Sequence, residues 1–207
     1  MLFQISNLEY KLKQRSILSN QNINIENGKH LLILGPSGCG KTTLVNLMAG
    51  LLRPSNGEII FEDNKFSNLS EKEIDTIRAK NFGFIFQKLH LLGHLNIEQN
   101  IALAQSKPEP LKIKKLINDL GLTSKSKQMA HDLSTGEAQR VAIARGVANN
   151  PKVIFADEPT SALDDINTKK VMSLIISQTK KNDSTLIVST HDERIKKYFS
   201  SVIEISP

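Results

Sequence analysis

Cysteine occurs once in the 207 residues, as Cys39, which excludes an internal disulfide and fits a reducing compartment. Tryptophan is absent and aromatic residues make up only 5% of the chain, so a base-stacking surface for nucleic acid is not a theme. No stretch approaches the roughly 18 consecutive apolar residues of a membrane-spanning helix. The first residues, MLFQISNLEYKLKQ, alternate like a strand and lack the basic start, apolar run and small-residue cleavage site of a secretory leader. Internal repeats, low-complexity tracts and linkers are missing as well. These absences predict a cytoplasmic protein that does not cross a membrane by itself. Charge is not scarce: 27 Lys and Arg against 21 Asp and Glu give +6. A solvated lysine-rich surface accounts for that excess, and attraction to anionic lipid or nucleic acid is the sharper alternative. No dense basic block chooses between them.

With 39% apolar and 23% charged residues, the chain has an ordinary soluble composition and enough length for one core with an inserted lobe. Three apolar runs end in polar chemistry: HLLILG (30–35), VIFADE (153–158) and TLIVSTH (185–191). Continuous rather than alternating apolar residues predict strands buried on both faces of a parallel sheet, with ligands at their C-terminal ends. Leu44, Leu47, Met48, Leu51 and Leu52 share one helical face, broken by RPSNG at 53–57. Asp164 or Asp165 can cap a helix whose inner face includes Leu174 and Ile175. FQISNLEYKL, NINI and EIIF (58–61), with the Asn27-Gly28 turn, read as a small antiparallel layer, and FGFIFQ (82–87) as a further strand. Residues 89–145 lack a buried strand and read as an inserted helical lobe. The fold class is therefore α/β, a parallel sheet flanked by helices with an N-terminal antiparallel layer and a helical insertion.

The chemistry is concentrated in a few places. GPSGCGKT comprises Gly35, Pro36, Ser37, Gly38, Cys39, Gly40, Lys41 and Thr42; it follows a strand, opens a helix and matches G-x-x-x-x-G-K-[ST]. Its glycines let backbone amides approach phosphate oxygens, Lys41 adds a positive charge at the β- and γ-phosphates, Thr42 can place its hydroxyl on Mg²⁺, and Thr43 is placed for the α-phosphate. Alkylation of Cys39 within this loop is expected to block nucleotide binding. Asp157 is the expected carboxylate for Mg²⁺, directly or through water, and Glu158 suits a general base that aligns water against the γ-phosphate. LSTGE (133–137) holds a capping-box pair, Ser134 and Glu137, at the start of another helix. A helix N-terminus also attracts anions.

GPSGCGKT, the glutamine ending FGFIFQ, LSTGE, ADEPTSALD and STHD occur here in one order, and over nearly the whole chain they resemble the nucleotide-binding subunit of an ABC transporter. The resemblance implies one ABC-type ATP-binding domain over 1–207, with a core of 1–88 and 146–207 and a signature-bearing helical subdomain of 89–145. It implies ATP and Mg²⁺ as cofactors. Gln87 matches the glutamine that touches Mg²⁺ or the attacking water and reports to the membrane partner. LSTGE matches the signature LSGGQ, with Ser134 and the amide of Gly136 directed at ATP held by a second copy. Residues Ser161 to Asp164 match the loop lining the dimer seam, His191 the switch histidine that holds the γ-phosphate, and Tyr10 the aromatic that stacks on adenine.

Some residues depart from the pattern. Thr135 stands for the usual first signature glycine, with weaker ATP-driven closure as the expectation, and Glu137 stands for its glutamine. Gly146 lies within a predicted helix at a cost of ~1 kcal/mol relative to alanine. No C-terminal regulatory domain is expected after the His191 segment. FGFIFQKLHLLGHLNIEQNIALA and ADEPTSALD are most similar to the branch of lipoprotein-release, macrolide-efflux and cell-division ATPases. The implied activity is ATP hydrolysis by a head-to-tail homodimer, located on the cytoplasmic face of the membrane through integral membrane permease subunits, driving export or release of a lipophilic or lipidated substrate. The alternative is an ATP-driven regulatory switch without transport. No nucleic acid partner is expected, since soluble ABC ATPases of that kind carry paired domains or coiled-coil insertions. LHLLGHL, after Gln87, either lines a groove for a partner's short helix or belongs to the core of the lobe.

Overall fold

The computed structural model describes residues 1–161 and 163–206. Strands β1 (Phe3–Leu12), β2 (Arg15–Ile25) and β3 (Leu31–Leu34) precede helix α1 (Lys41–Met48). Then come β4 (Asn56–Phe61), β5 (Asn64–Lys65), α2 (Glu71–Asn81) and β6 (Phe82–Ile85). Helices α3 (Ile97–Ala102), α4 (Pro110–Asp119) and α5 (Thr135–Val147) follow, and β7 (Val153–Asp157), α6 (Asp165–Lys181), β8 (Thr185–Thr190) and β9 (Ser201–Glu204) complete the described elements.

Two sheets result. One is antiparallel in the order β2-β1-β4-β5, and the other is parallel in the order β6-β7-β8-β3-β9. The continuous apolar runs do fill the parallel sheet, and alternate residues face opposite sides. Leu31, Ile33, Val153, Phe155 and Ile187 pack toward the antiparallel layer and α1. Leu32, Leu34, Ile154, Ala156, Leu186 and Val188 pack toward helices α3 to α6. Phenylalanines join the layers: Phe61 lies 5.0 Å from Phe3 and 4.9 Å from Phe82, and Phe82 lies 5.3 Å from Phe155, between ring centres.

Several local expectations change. The helix read through Leu52 ends at Met48, because Gly50 takes a left-handed conformation (φ 66°) and donates its amide to Leu47 O, leaving Leu51 46% exposed. β2 is much longer than NINI. α2 starts at a capping box, Ser70 with Glu73, whose apolar face is only Ile74 and the half-buried Ile77. β9 pairs with β3 at the sheet edge, and its sequence SVIE gives little strand signal because it is short and ends in charge. LHLLGHL lies at the margin of the lobe: half-buried Leu91 packs against the core on the helical side of the sheet, none of its residues is fully buried, and Leu92 is 41% exposed. The buried Asn100 holds that segment through bonds from Nδ2 to Leu92 O, Leu95 O and Asn96 O, and from the Leu92 amide to Oδ1.

Gly146 has a packing reason. A Cβ on Gly83 of β6 would fall 1.9 Å from Gly146 O, and one on Gly146 would fall 2.9 Å from Phe84 O. The two glycines let α5 lie directly on β6, which carries the chain toward Gln87. Gly83→Ala is expected to destabilise the protein by about 1–3 kcal/mol through forced separation of helix and strand; the midpoint of urea unfolding measures it, and an unchanged midpoint would remove this contact from the account.

Candidate active site

The parallel strands deliver their C-terminal ends to one edge. β3 leads into Gly35, β7 ends at Asp157, and β8 ends at Thr190. Register places Leu34 beside Thr190 and Asp157 beside Ser189. The Gly35 amide donates to Thr190 O at 3.3 Å. A side chain at Gly35 would meet Ile205 O at 2.4 Å, so the loop enters where only glycine fits. Gly38 and Gly40 then adopt left-handed φ of 80° and 104°.

Helices α2, α3, α5 and α6 have side-chain caps; α4 lacks one but starts at Pro110, and α1 has Gly40 at its N-cap and no side-chain cap bond. Its first amides are therefore available to a phosphate, at the positive end of the helix dipole. Lys41 is 5% exposed; its Nζ donates to Gly35 O and Pro36 O, both at 2.9 Å, and lies 3.5 Å from Glu158 Oε1.

Two acidic centres sit beside this loop. Asp157 accepts Thr42 Oγ1 at 2.9 Å and Ser189 Oγ at 2.6 Å. Glu158 accepts Thr190 Oγ1 at 2.7 Å, and its other oxygen meets His191 Nδ1 at 3.0 Å. Glu158 holds a left-handed φ of 49°, an uncommon conformation for a residue with a side chain, and its amide donates to Ser189 O. The structure thus gathers Lys41, Thr42, Asp157, Glu158 and His191 into two adjoining bonded sets, Thr42 with Asp157 and Lys41 with Glu158 and His191, linked by the bond from the Glu158 amide to Ser189 O. Ser189 and Thr190 belong to these sets too. Neither is marked by a motif; the available signal is a pair of hydroxyls closing an apolar strand just before His191. Asp192, also unassigned, accepts Thr160 Oγ1 at 2.8 Å and is paired with Arg194, which holds its carboxyl below the usual range.

Other predicted residues lie around the cluster. Gln87 falls just beyond β6, and its Nε2 donates to Ser161 Oγ at 3.1 Å, joining it to the segment after Glu158. Asp164, not Asp165, caps α6, accepting the Asn167 amide at 2.8 Å. Ala162, within the expected dimer-seam loop, lies outside the described residues. Half-buried Tyr10 pairs across the strands with Leu18, the residue that closes over Gly40, so it stands on the sheet beside the phosphate loop.

Cys39 departs from expectation: its thiol packs in the core at 4% exposure, so only its backbone is available to phosphate. Thiol reagents are expected to react far more slowly with the folded protein than with denatured chain, as mass spectrometry of alkylated samples would show; equal rates would contradict that burial.

Ser134 and Gly136 are exposed at the start of α5. The box is complete, since the Ser134 amide donates to Glu137 Oε2 at 2.9 Å and the Glu137 amide to Ser134 Oγ at 3.4 Å. Among the described residues, no hydrogen bond joins Ser134 or Gly136 to the phosphate loop of the same chain.

The sequence matches the ABC transporter family over residues 18–161. The chain belongs to that family. It is an ABC ATPase, and its α/β fold is that of the family. It is 37% identical to the putative hemin import ATP-binding protein HrtA of Staphylococcus haemolyticus, over 93% of this chain and 89% of that protein. It is 36% identical to the lipoprotein-releasing system ATP-binding protein LolD of Wigglesworthia glossinidia brevipalpis, over 95% and 89% of the two chains. A dimeric ATP-binding cassette in a post-hydrolysis state with ADP and phosphate superposes with a TM-score of 0.87 at 30% identity, over 99% of this ABC ATPase and 94% of that chain.

Proposed function

We propose that this chain is the ATP-hydrolysing subunit of a transporter whose membrane-spanning permease is a separate protein, and that it works as a head-to-tail dimer driving export or release of a lipophilic or lipidated substrate. The observation that carries this reading is the presence of two half-sites on one chain, the phosphate-loop cluster and the exposed cap of α5, with no bond between them. A second copy supplies the missing half for each. Gly35 to Thr43 cradle the nucleotide, Tyr10 flanks its base, and Ser134, Gly136 and Asp164 approach it from the seam. As ATP enters, Lys41 exchanges the Gly35 and Pro36 carbonyls for phosphate oxygens, which frees Glu158 to align water. His191 and Thr190 hold the Glu158 carboxylate in place, and Gln87 links the site to the surface.

Mg²⁺ fits the residues present. Thr42 Oγ1 and the Asp157 carboxylate form a pair of hard oxygen donors 2.9 Å apart, with Gln87 as a further oxygen ligand in this reading. Among the described residues no group of three acidic, His or Cys side chains could hold the ion alone, so in this reading nucleotide phosphate and water would supply its remaining ligands. Bound there, Mg²⁺ would neutralise developing phosphate charge.

A groove beside Gln87 supports docking of the proposed membrane partner. The groove, of about 730 Å³, is lined by Phe84, Phe86, His90, Leu92, Leu103 and Arg145. Arg145 supports its wall by donating to Leu89 O and His90 O, both at 2.6 Å. A short amphipathic helix suits this apolar cleft beside Gln87. No described helix is long and apolar enough to cross a membrane, so attachment at the cytoplasmic face through a partner belongs to the proposal. Residues 1–88 with 146–207 would then act as the ATP-binding core and 89–145 as the signature subdomain. The relatives' names, which specify lipoprotein release and hemin import, support a lipidated or lipophilic cargo, and of the two only the lipoprotein relative's name supports release.

The test is to hold tagged Glu158→Gln protein with ATP and Mg²⁺ and identify what purifies with it from detergent-solubilised membranes. A permease pair whose loss blocks efflux or release of a lipophilic substrate supports the reading. A membrane complex whose loss blocks no transport favours a regulatory switch, and the absence of any membrane partner contradicts both.

A further inference from the structure

Among the described residues three capping boxes open helices, and one differs from the others. At α2 the Glu73 carboxylate serves Ser70 alone, and at α3 the Gln99 amide serves Asn96. At α5 both oxygens of Glu137 are committed: Oε2 accepts the Ser134 amide at 2.9 Å, and Oε1 accepts Lys125 Nζ at 2.5 Å. Lys125 lies on the short 3₁₀ turn Thr123–Lys125 after α4, and reaches across to a Glu137 side chain that is only 14% exposed. The Lys125 ammonium, with the Ser134 bonds behind it, brings the Glu137 carboxyl down to about 2.

A carboxylate in a first helical turn suits the helix dipole, but it opposes any anion arriving at the same end. Glutamine at this position would carry no such charge. Here the negative charge is present, and a cation from a different segment is clamped to it. We infer that Lys125 is a positioning residue for ATP-driven association, cancelling the charge of Glu137 and fixing the box so that Ser134 and the α5 amides receive the nucleotide phosphate of a second copy. This rests on the reading that α5 of one copy engages ATP in the other.

The experiment is an ATP titration of dimer formation, followed by light scattering, in full-length Glu158→Gln protein with Mg²⁺. Lys125→Ala should weaken each signature contact by about fivefold, the upper range for a partly exposed ion pair, and therefore the dimerisation constant by about 25-fold because two such contacts form. Lys125→Arg restores association. In a Glu137→Gln background, Lys125→Ala changes the titration by less than about twofold, since the charge to be cancelled is gone. ATP binding by the monomer, measured in a Gly136→Asp background, stays the same with or without Lys125 and confirms a folded chain. An unchanged titration for Lys125→Ala, or an equal shift in both backgrounds, overturns the inference. Gly136→Asp separates the two levels: normal dimerisation of that variant would defeat the head-to-tail reading itself, whereas its loss alongside a normal Lys125→Ala titration would defeat the role of Lys125 alone.

Discussion

Glu158→Gln protein is expected to bind ATP while hydrolysing it about 10²–10⁴-fold more slowly, the usual range for loss of a general base. The amide keeps the size of the carboxylate and can still accept the Thr190 hydroxyl, which lies 2.7 Å away. It also keeps the left-handed backbone at this position unaltered in its demands, because both residues carry the same Cβ and Cγ. What it loses is the charge and basicity that His191 at 3.0 Å and Lys41 at 3.5 Å now accompany. The loop proposed to bind phosphate is untouched. Phosphate release under steady-state conditions, paired with calorimetric ATP binding, separates the two effects. Wild-type turnover would remove Glu158 from the role of base.

Lys41→Ala is expected to lower ATP affinity by roughly two orders of magnitude, the scale of one strong charge-assisted contact to phosphate. The ammonium is almost fully buried at the mouth of α1, where two loop carbonyls orient it. Removing it also leaves Glu158, with a side chain 12% exposed, without its lysine partner. Arginine should not rescue binding, because its planar fork does not fit a slot built around a point charge. Titration with ATP and Mg²⁺ checks both variants, and affinity unchanged from wild type would contradict the phosphate-loop reading.

Much of this site could be read before the fold was known, for a physical reason. Strands buried on both faces show as unbroken apolar runs, and the polar residues ending such runs must do something other than fill the core. That made β3, β7 and β8 legible, together with Asp157 and Glu158, whereas the role of His191 came only from its place in the ordered motifs. Partners brought together by pairing were not legible. Ser189 and Thr190 acquire meaning only when β8 lies beside β7 and β3 in register. Tyr10 could be placed by resemblance, but only its pairing with Leu18, over Gly40, shows how a strand of the antiparallel layer reaches the loop. Helix α1 was read too long because leucine periodicity continued past Gly50, where backbone geometry stopped the helix. Lys125 gave no sign at all: a lysine in an irregular segment looks like any solvated charge until the chain turns it onto Glu137.

The most direct measurement is the mass and nucleotide content of Glu158→Gln protein in ATP with Mg²⁺, compared with ADP. The account predicts a dimer retaining two ATP molecules in the first condition and a monomer in the second. A monomer that binds ATP without associating, or a dimer that forms equally well with ADP, would contradict a catalytic site shared between two copies of this chain.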